Sequence, residues 1–341
     1  MFKNPNSLII KLNNVKETNK ADVMFVFPGL EGHCDSFKDL ADCLEQNNVQ
    51  MFGLHFTHHV PFESLEEAAR FYITKIDSTI RELNFNVVNN VIICGYSFGG
   101  LLAIEVCHQM ETRFRFENDI NFVISSLILL ESSHLFFRVG VHHNSKKFGK
   151  LLSQTDIFVD NTVYTATLSI YISAITGRLD DAFKFELYDY LKSCNCFNLD
   201  DAIQKALDYI ISNKYYYFDS KSELEDMKSY LKLLMLKSNA GFIYNYDSIH
   251  KLRVPVVLIK TKNFMYKKFI NDLYYLSDKH NQPCKLDMNE NDYSLSEIAE
   301  HLSVYVCQNG NHWTFVSESA KQIADFVTKA SFKNKILKSK I

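Results

Sequence analysis

Short apolar runs alternate with longer stretches in which apolar residues return every three or four positions. Ser7-Leu-Ile-Ile-Lys-Leu12 reads as an edge strand, and Val23-Met-Phe-Val-Phe27 suits a parallel strand buried on both faces. Further strands are expected at Met51–Phe56, Val91–Cys94, Val123–Leu130, Val254–Lys260 and Leu302–Cys307. Helices are expected over about 35–46 and 100–110. Another should start at Ser64-Leu-Glu-Glu67, a capping-box pattern followed by an apolar face of Leu65, Ala68, Ala69, Tyr72, Ile73 and Ile76. A last helix carries Ile323, Phe326, Val327 and Ala330 on one face. Alternating strands and helices predict an α/β protein with a doubly wound, mostly parallel sheet.

The rhythm changes between residues 149 and 245. Ile203, Ala206, Leu207, Ile210 and Ile211 form one helical stripe, and Leu224, Met227, Leu231 and Leu234 form another. No strand pattern is present, and aromatics such as Phe183, Tyr188, Tyr209 and Tyr215 are dense. This reads as a helical insertion, expected to cap the carboxyl edge of the sheet. Most of its apolar residues are needed for its own core. The division is therefore 1–148 for the first part of the sheet domain, 149–245 for the cap and 246–332 for the second part. A basic tail at 333–341 is expected to fray.

Composition narrows the classes. With 47% hydrophobic residues the 341-residue chain can bury a large core, and 37 basic against 40 acidic residues give a net charge of −3. No basic face for nucleic acid is implied. No apolar run approaches the length of a membrane span, and the first residues lack a secretory layout. The eight cysteines form no CxxC pair, which predicts reduced thiols and a soluble, cytoplasmic protein.

Chemistry enters at Val91–Leu101. The apolar run ends in Gly95-Tyr-Ser-Phe-Gly99 and a helical stretch follows at once. Strand, G-x-S-x-G and helix is the context of a nucleophile elbow, whose sharp turn excludes side chains at Gly95 and Gly99 and exposes the Ser97 hydroxyl. A serine needs a base within reach, and the base needs a carboxylate to orient it. The order Ser–acid–His points to His312, in the loop after the last strand, as base. His55, His58 and His59 precede the serine, and His134, His142 and His143 lack that context. Glu131 directly follows the strand after the serine and is the candidate acid. The alternative place, Thr261-Lys262-Asn263, holds no acid, while Asp272 and Asp278 lie further along. Pro28-Gly29-Leu30-Glu31-Gly32 is a loop able to supply an oxyanion donor.

These segments carry a resemblance. Phe25–Gly32, Val60-Pro-Phe-Glu-Ser-Leu65, Gly95–Gly99, Leu127–Ser132, Asp292-Tyr-Ser-Leu-Ser296 and Gly310-Asn-His312 resemble the thioesterase domain of animal-type fatty acid synthases. More distantly they resemble the thioesterases of polyketide and nonribosomal peptide synthetases. The resemblance implies an α/β-hydrolase fold with a helical cap bordering an acyl groove. It puts the nucleophile on Ser97, the base on His312 and the acid on Glu131. The oxyanion donors fall on the backbone N–H groups of Phe98 and Leu30. Where the family has Asp followed by Gly-Ser-Pro, this chain has Glu131-Ser-Ser-His134, an acid one methylene longer.

The implied activity is hydrolysis of fatty acyl thioesters through an acyl-serine, without metal or redox cofactor. Substrate would arrive on the phosphopantetheine of an acyl carrier protein, with a fatty acid or polyketide synthase as the wider assembly, or on coenzyme A. The chain is expected to be a free-standing enzyme or a detached terminal domain. Two other readings stay open. One is an ester hydrolase or lipase of the same fold; the other is an inactive hydrolase-fold protein that binds acyl chains or a protein partner.

Overall fold

A computed structural model of the protein describes residues 7–15, 21–83, 90–112, 122–137, 162–178, 180–262 and 289–338. They fall into two compact units, one drawn from Pro5–Phe136, Tyr244–Met265 and Met288–Ile341, the other from Phe137–Ile243.

The first unit is built on a seven-stranded sheet: β1 (Ile9–Lys11), β2 (Asp22–Phe27), β3 (Val49–Leu54), β4 (Val91–Tyr96), β5 (Ile124–Leu130), β6 (Val256–Thr261) and β7 (Leu302–Cys307). The order is β1-β3-β2-β4-β5-β6-β7. Only β1 runs antiparallel to its neighbour; the other pairings are parallel. Every position of β2, β3 and β4 is buried. That explains their unbroken apolar runs, since helices cover both faces. β1 and β7 are the edges, and Val304 and Val306 on β7 are correspondingly exposed.

Strand β3 begins two residues before the apolar run suggested. Its pairing with β2 starts at Asp22↔Val49 and brings Gln50 inside the sheet. Burying an amide is tolerated only when it is hydrogen-bonded. Gln50 Nε2 donates to Asn13 O and Oδ1 at 2.6 and 2.7 Å. A polar residue so paired is invisible to a hydropathy pattern.

Helices α1 (Lys38–Glu45), α2 (Leu65–Glu82) and α3 (Phe98–Thr112) follow β2, β3 and β4. Ser64 caps α2 by accepting the Glu67 N–H at 3.1 Å, the capping-box contact its sequence announces. The six apolar residues of its expected face are all fully buried. Burying each large side chain of this kind contributes about 1.5–3 kcal/mol. Helix α3 has a central place in this layer, and its first ten residues are buried.

The second unit contains α4 (Thr162–Thr176), α5 (Asp181–Ser193), α6 (Leu199–Ser212) and α7 (Lys221–Ile243), and no strand among its described residues. Asp180 and Asn198 cap α5 and α6 through their side chains. On α6 the stripe Ile203, Ala206, Leu207 and Ile210 is buried, but Ile211 is 39% exposed, one step round the helix from the buried face.

The first unit closes with α8 (Phe315–Glu318) and α9 (Ala320–Lys338). Ile323 and Val327 fix α9 to the core. Its backbone is helical to Lys338, and no Gly or Pro interrupts 333–338. The seven described cysteines are free. No described helix is long and apolar enough to cross a membrane.

Candidate active site

Ser97 stands between the end of β4 and the start of α3 with φ 52°, left-handed backbone that a non-glycine residue adopts at a cost. The neighbouring glycines make this turn possible. A Cβ on Gly95 would lie 2.4 Å from Gly99 O, and one on Gly99 would lie 2.3 Å from Pro28 O. The strained backbone is held from both sides. Ser97 N–H donates to Leu130 O at 3.1 Å, and Ser97 O accepts from Gly100 N–H at 3.0 Å and Ser132 Oγ at 2.6 Å.

His312 lies in the turn after β7. Gly310 takes φ 83°, and a Cβ there would meet Phe315 Cα at 2.4 Å. Asn311 organises the turn, its Oδ1 accepting Trp313 N–H and its carbonyl accepting Phe315 N–H, both at 2.9 Å. The Tyr96 hydroxyl donates to the His312 carbonyl oxygen, so β4 reaches across to this loop. The imidazole is nearly buried, with Nε2 3.0 Å from Ser97 Oγ.

Glu131, the residue after β5, also has positive φ (47°) and is completely buried. Its N–H continues the sheet pairing to Ile259 O at 2.9 Å. Oε1 accepts from Thr261 N–H and from the Tyr293 hydroxyl, the latter at 3.1 Å. Oε2 lies 3.5 Å from His312 Nδ1. Both atoms are buried and have no hydrogen-bond partner in the described structure. The separation is longer than a full hydrogen bond, as contacts of this kind often are before substrate tightens them. A proton on Nδ1 directed at the carboxylate leaves the Nε2 lone pair facing the serine hydroxyl. That is the arrangement needed to take up the hydroxyl proton.

Phe98 opens α3, at the end where the helix dipole favours negative charge. Leu30 lies in the Gly29–Gly32 turn, closed by a 3.1 Å hydrogen bond from Gly32 N–H to Gly29 O. That loop continues from Pro28, against which Gly99 packs. His134 sits apart, its Nε2 3.8 Å from Glu297 Oε2. Asp272, Asp278, His142 and His143 lie outside the described residues. No group of His, Cys, Asp or Glu among the described residues is arranged to hold a metal.

Three participants were not singled out individually from the sequence. Thr261 contributes only a backbone N–H, which no residue type announces. Tyr96 and Tyr293 act through hydroxyls and lie in Gly95–Gly99 and Asp292–Ser296, two of the segments that carry the family resemblance. Burial first, and then the Glu131 charge and hydrogen bond, push the Tyr293 phenol far above its ordinary range. Lys260 sits with its ammonium 5.0 Å from the Tyr293 ring centroid. Burial lowers its pKa, against the raising effect of Glu131, Asp292 and Glu290.

A family model described as Thioesterase domain matches residues 23–126. The match takes in Leu30, Ser97 and Phe98 and stops before Glu131 and His312. Among solved structures, the chain is similar to holo-AB3403, a four-domain nonribosomal peptide synthetase bound to AMP and glycine. The TM-score is 0.56 at 14% identity, over 96% of this chain and 20% of that one. This chain therefore spans about a fifth of that relative's length. It is also similar to YbtT, a type II thioesterase from the yersiniabactin NRPS/PKS biosynthetic pathway. There the TM-score is 0.50 at 14% identity, covering 96% of this chain and 99% of the other. Identities this low speak for the fold. It is the α/β-hydrolase fold expected from the strand–helix rhythm and the elbow.

Proposed function

We propose that the protein hydrolyses fatty acyl thioesters, with Ser97 as nucleophile, His312 as general base and acid, and Glu131 as the carboxylate that orients His312. The observation that carries this reading is the 3.0 Å approach of His312 Nε2 to Ser97 Oγ, with Nδ1 turned to a buried carboxylate. Ser97 Oγ attacks the thioester carbonyl carbon while its proton passes to His312 Nε2. Negative charge develops on the carbonyl oxygen and is held by the N–H groups of Phe98 and Leu30. Collapse breaks the C–S bond, and the His312 proton goes to the leaving thiolate. Water then gives a proton to His312 and attacks the acyl-serine carbonyl. The second collapse returns a proton to Ser97 Oγ and releases the fatty acid. Buried Glu131 stabilises the imidazolium that forms in each half-reaction.

The acyl group is proposed to arrive on the phosphopantetheine arm of an acyl carrier protein or on coenzyme A, in the cytoplasm, with no metal or redox cofactor. A fatty acid or polyketide synthase would be the carrier's source. The thioesterase-domain match and the residues shared with fatty acid synthase thioesterases support this choice over an oxygen-ester substrate. An acyl-CoA series from C8 to C16, set beside matched oxygen esters, tests it. Each methylene removed from water is worth about 0.8 kcal/mol, so four added carbons raise kcat/KM by roughly a hundredfold if fully enclosed. Thioesters should outpace the esters, and Ser97→Ala should abolish turnover. A flat chain-length series or a preference for oxygen esters counts against the fatty acyl thioester.

A further inference from the structure

The two oxygens of Glu131 have different surroundings. Oε1 takes two donors, the Thr261 N–H and the Tyr293 hydroxyl, whereas Oε2 faces only His312 Nδ1 at 3.5 Å. We propose that Tyr293 is a positioning residue for the hydrolysis: its hydroxyl, with the Thr261 N–H, determines which carboxylate oxygen meets His312 and at what angle. The inference rests on the triad reading above and adds to it the element that sets the acid.

A glutamate needs such a device. Its carboxyl group ends a chain with one more rotatable bond than aspartate, and the terminal torsion is broad. One donor on Oε1 leaves the carboxylate free to swing about that contact; a second donor from a different direction removes the swing. Tyr293 is placed at a cost that packing alone does not explain. It has φ 54° and is followed by Ser294 at 58°, two successive left-handed residues, the first a bulky aromatic. The turn is fixed by Ser294 N–H donating to Asp292 Oδ1 at 3.0 Å and by Asn289 N–H donating to Ser294 Oγ at 2.9 Å.

Tyr293 is also tied to the segment that carries the acid. Ser133 Oγ donates to Tyr293 O at 2.7 Å, and the Phe136 ring lies 5.9 Å from the Tyr293 ring. The two residues follow Glu131 by two and five positions, so the hydroxyl and the carboxylate share one frame. The phenol is almost fully buried, and its environment keeps it protonated, hence a donor, across any working pH.

The test is a double-mutant cycle on the full chain. Tyr293→Phe keeps the ring and removes the donor. Misplacing a catalytic group by about an Ångström costs on the order of a hundredfold. A swinging carboxylate should therefore lower kcat by roughly ten- to a hundredfold, with KM changed by less than about twofold because no substrate contact is lost. In a Glu131→Gln background the same substitution should have almost no effect on single-turnover rate or on fluorophosphonate labelling of Ser97, because the group being positioned is already disabled. A merely structural tyrosine would cost the same factor in both backgrounds. Wild-type kcat in Tyr293→Phe, or equal losses in both backgrounds, overturns the positioning role. Full turnover in Glu131→Gln or Ser97→Ala instead overturns the underlying triad. Should Tyr293→Phe not fold, Ser133→Ala loosens the same turn through the Tyr293 carbonyl. A smaller loss confined to the Glu131 background supports the proposal, and no loss there overturns it.

Discussion

The hydroxyl of Tyr96 donates to the backbone carbonyl of His312, joining the residue before Ser97 to a histidine 216 positions away. The two rings lie 5.3 Å apart with a 30° tilt. Burial, then Glu31 and Glu131, raise the Tyr96 phenol well above its ordinary value, so it remains a donor. Removing it leaves a buried carbonyl without this partner, at a cost of about 1–3 kcal/mol. Tyr96→Phe is expected to lower unfolding stability by that amount in urea melts and to reduce kcat more than it changes KM. Unchanged stability and turnover would show that the contact holds nothing in place.

Glu131→Gln is expected to keep the fold and lose up to about 10⁴-fold in kcat, the scale seen when a triad carboxylate becomes an amide. Glu131→Asp should retain activity between the two, because the Oε1 donors are set for the longer arm. Steady-state kinetics on one long-chain acyl-CoA decides. Near-wild-type turnover in Glu131→Gln would move the acid elsewhere.

Trp313, 71% exposed, meets the His312 ring edge to face at 5.2 Å. That ring is 3.0 Å from Ser97 Oγ, so a ligand bound at the serine is expected to come near Trp313. Saturating Ser97→Ala with a long-chain acyl-CoA should shift or quench tryptophan emission, and this chain has one tryptophan. Calorimetric binding with no spectral change would count against that path.

The Cys307 thiol, at the end of β7, is pushed up to about 11, chiefly by burial and also by the Glu131 charge, against a lowering hydrogen bond from Ser319. Its thiolate is the reactive form. Alkylation of the folded protein at pH 8 should therefore spare Cys307 and the fully buried Cys94 and Cys107, while Cys43, Cys194 and Cys196, which are partly exposed, react sooner. Peptide mapping reads this directly. Early modification of Cys307 would mean that the strand end opens more readily than its burial implies.

The sequence by itself determined the sheet, the elbow and the chain order of the candidate residues Ser97, Glu131 and His312, because those signals are local. Buried strands show as apolar runs, and α2 announces itself through Ser64 and a 3.6-residue period. The glycines at 95 and 99 report steric demands made within a few residues, or by the strand next door. Tertiary structure alone decided what lies around the carboxylate. His312 and Ser97 are 215 positions apart, and Tyr293 and Glu131 are 162. Whether such residues meet depends on strand order and on where each strand stops. β6 ends beside β5 so that Thr261 N–H reaches Glu131, a contact made by a backbone group that no pattern encodes. The same reason explains the start of β3: Gln50 is polar in sequence and buried in structure, and only its pairing with Asn13, 37 positions away, makes that possible.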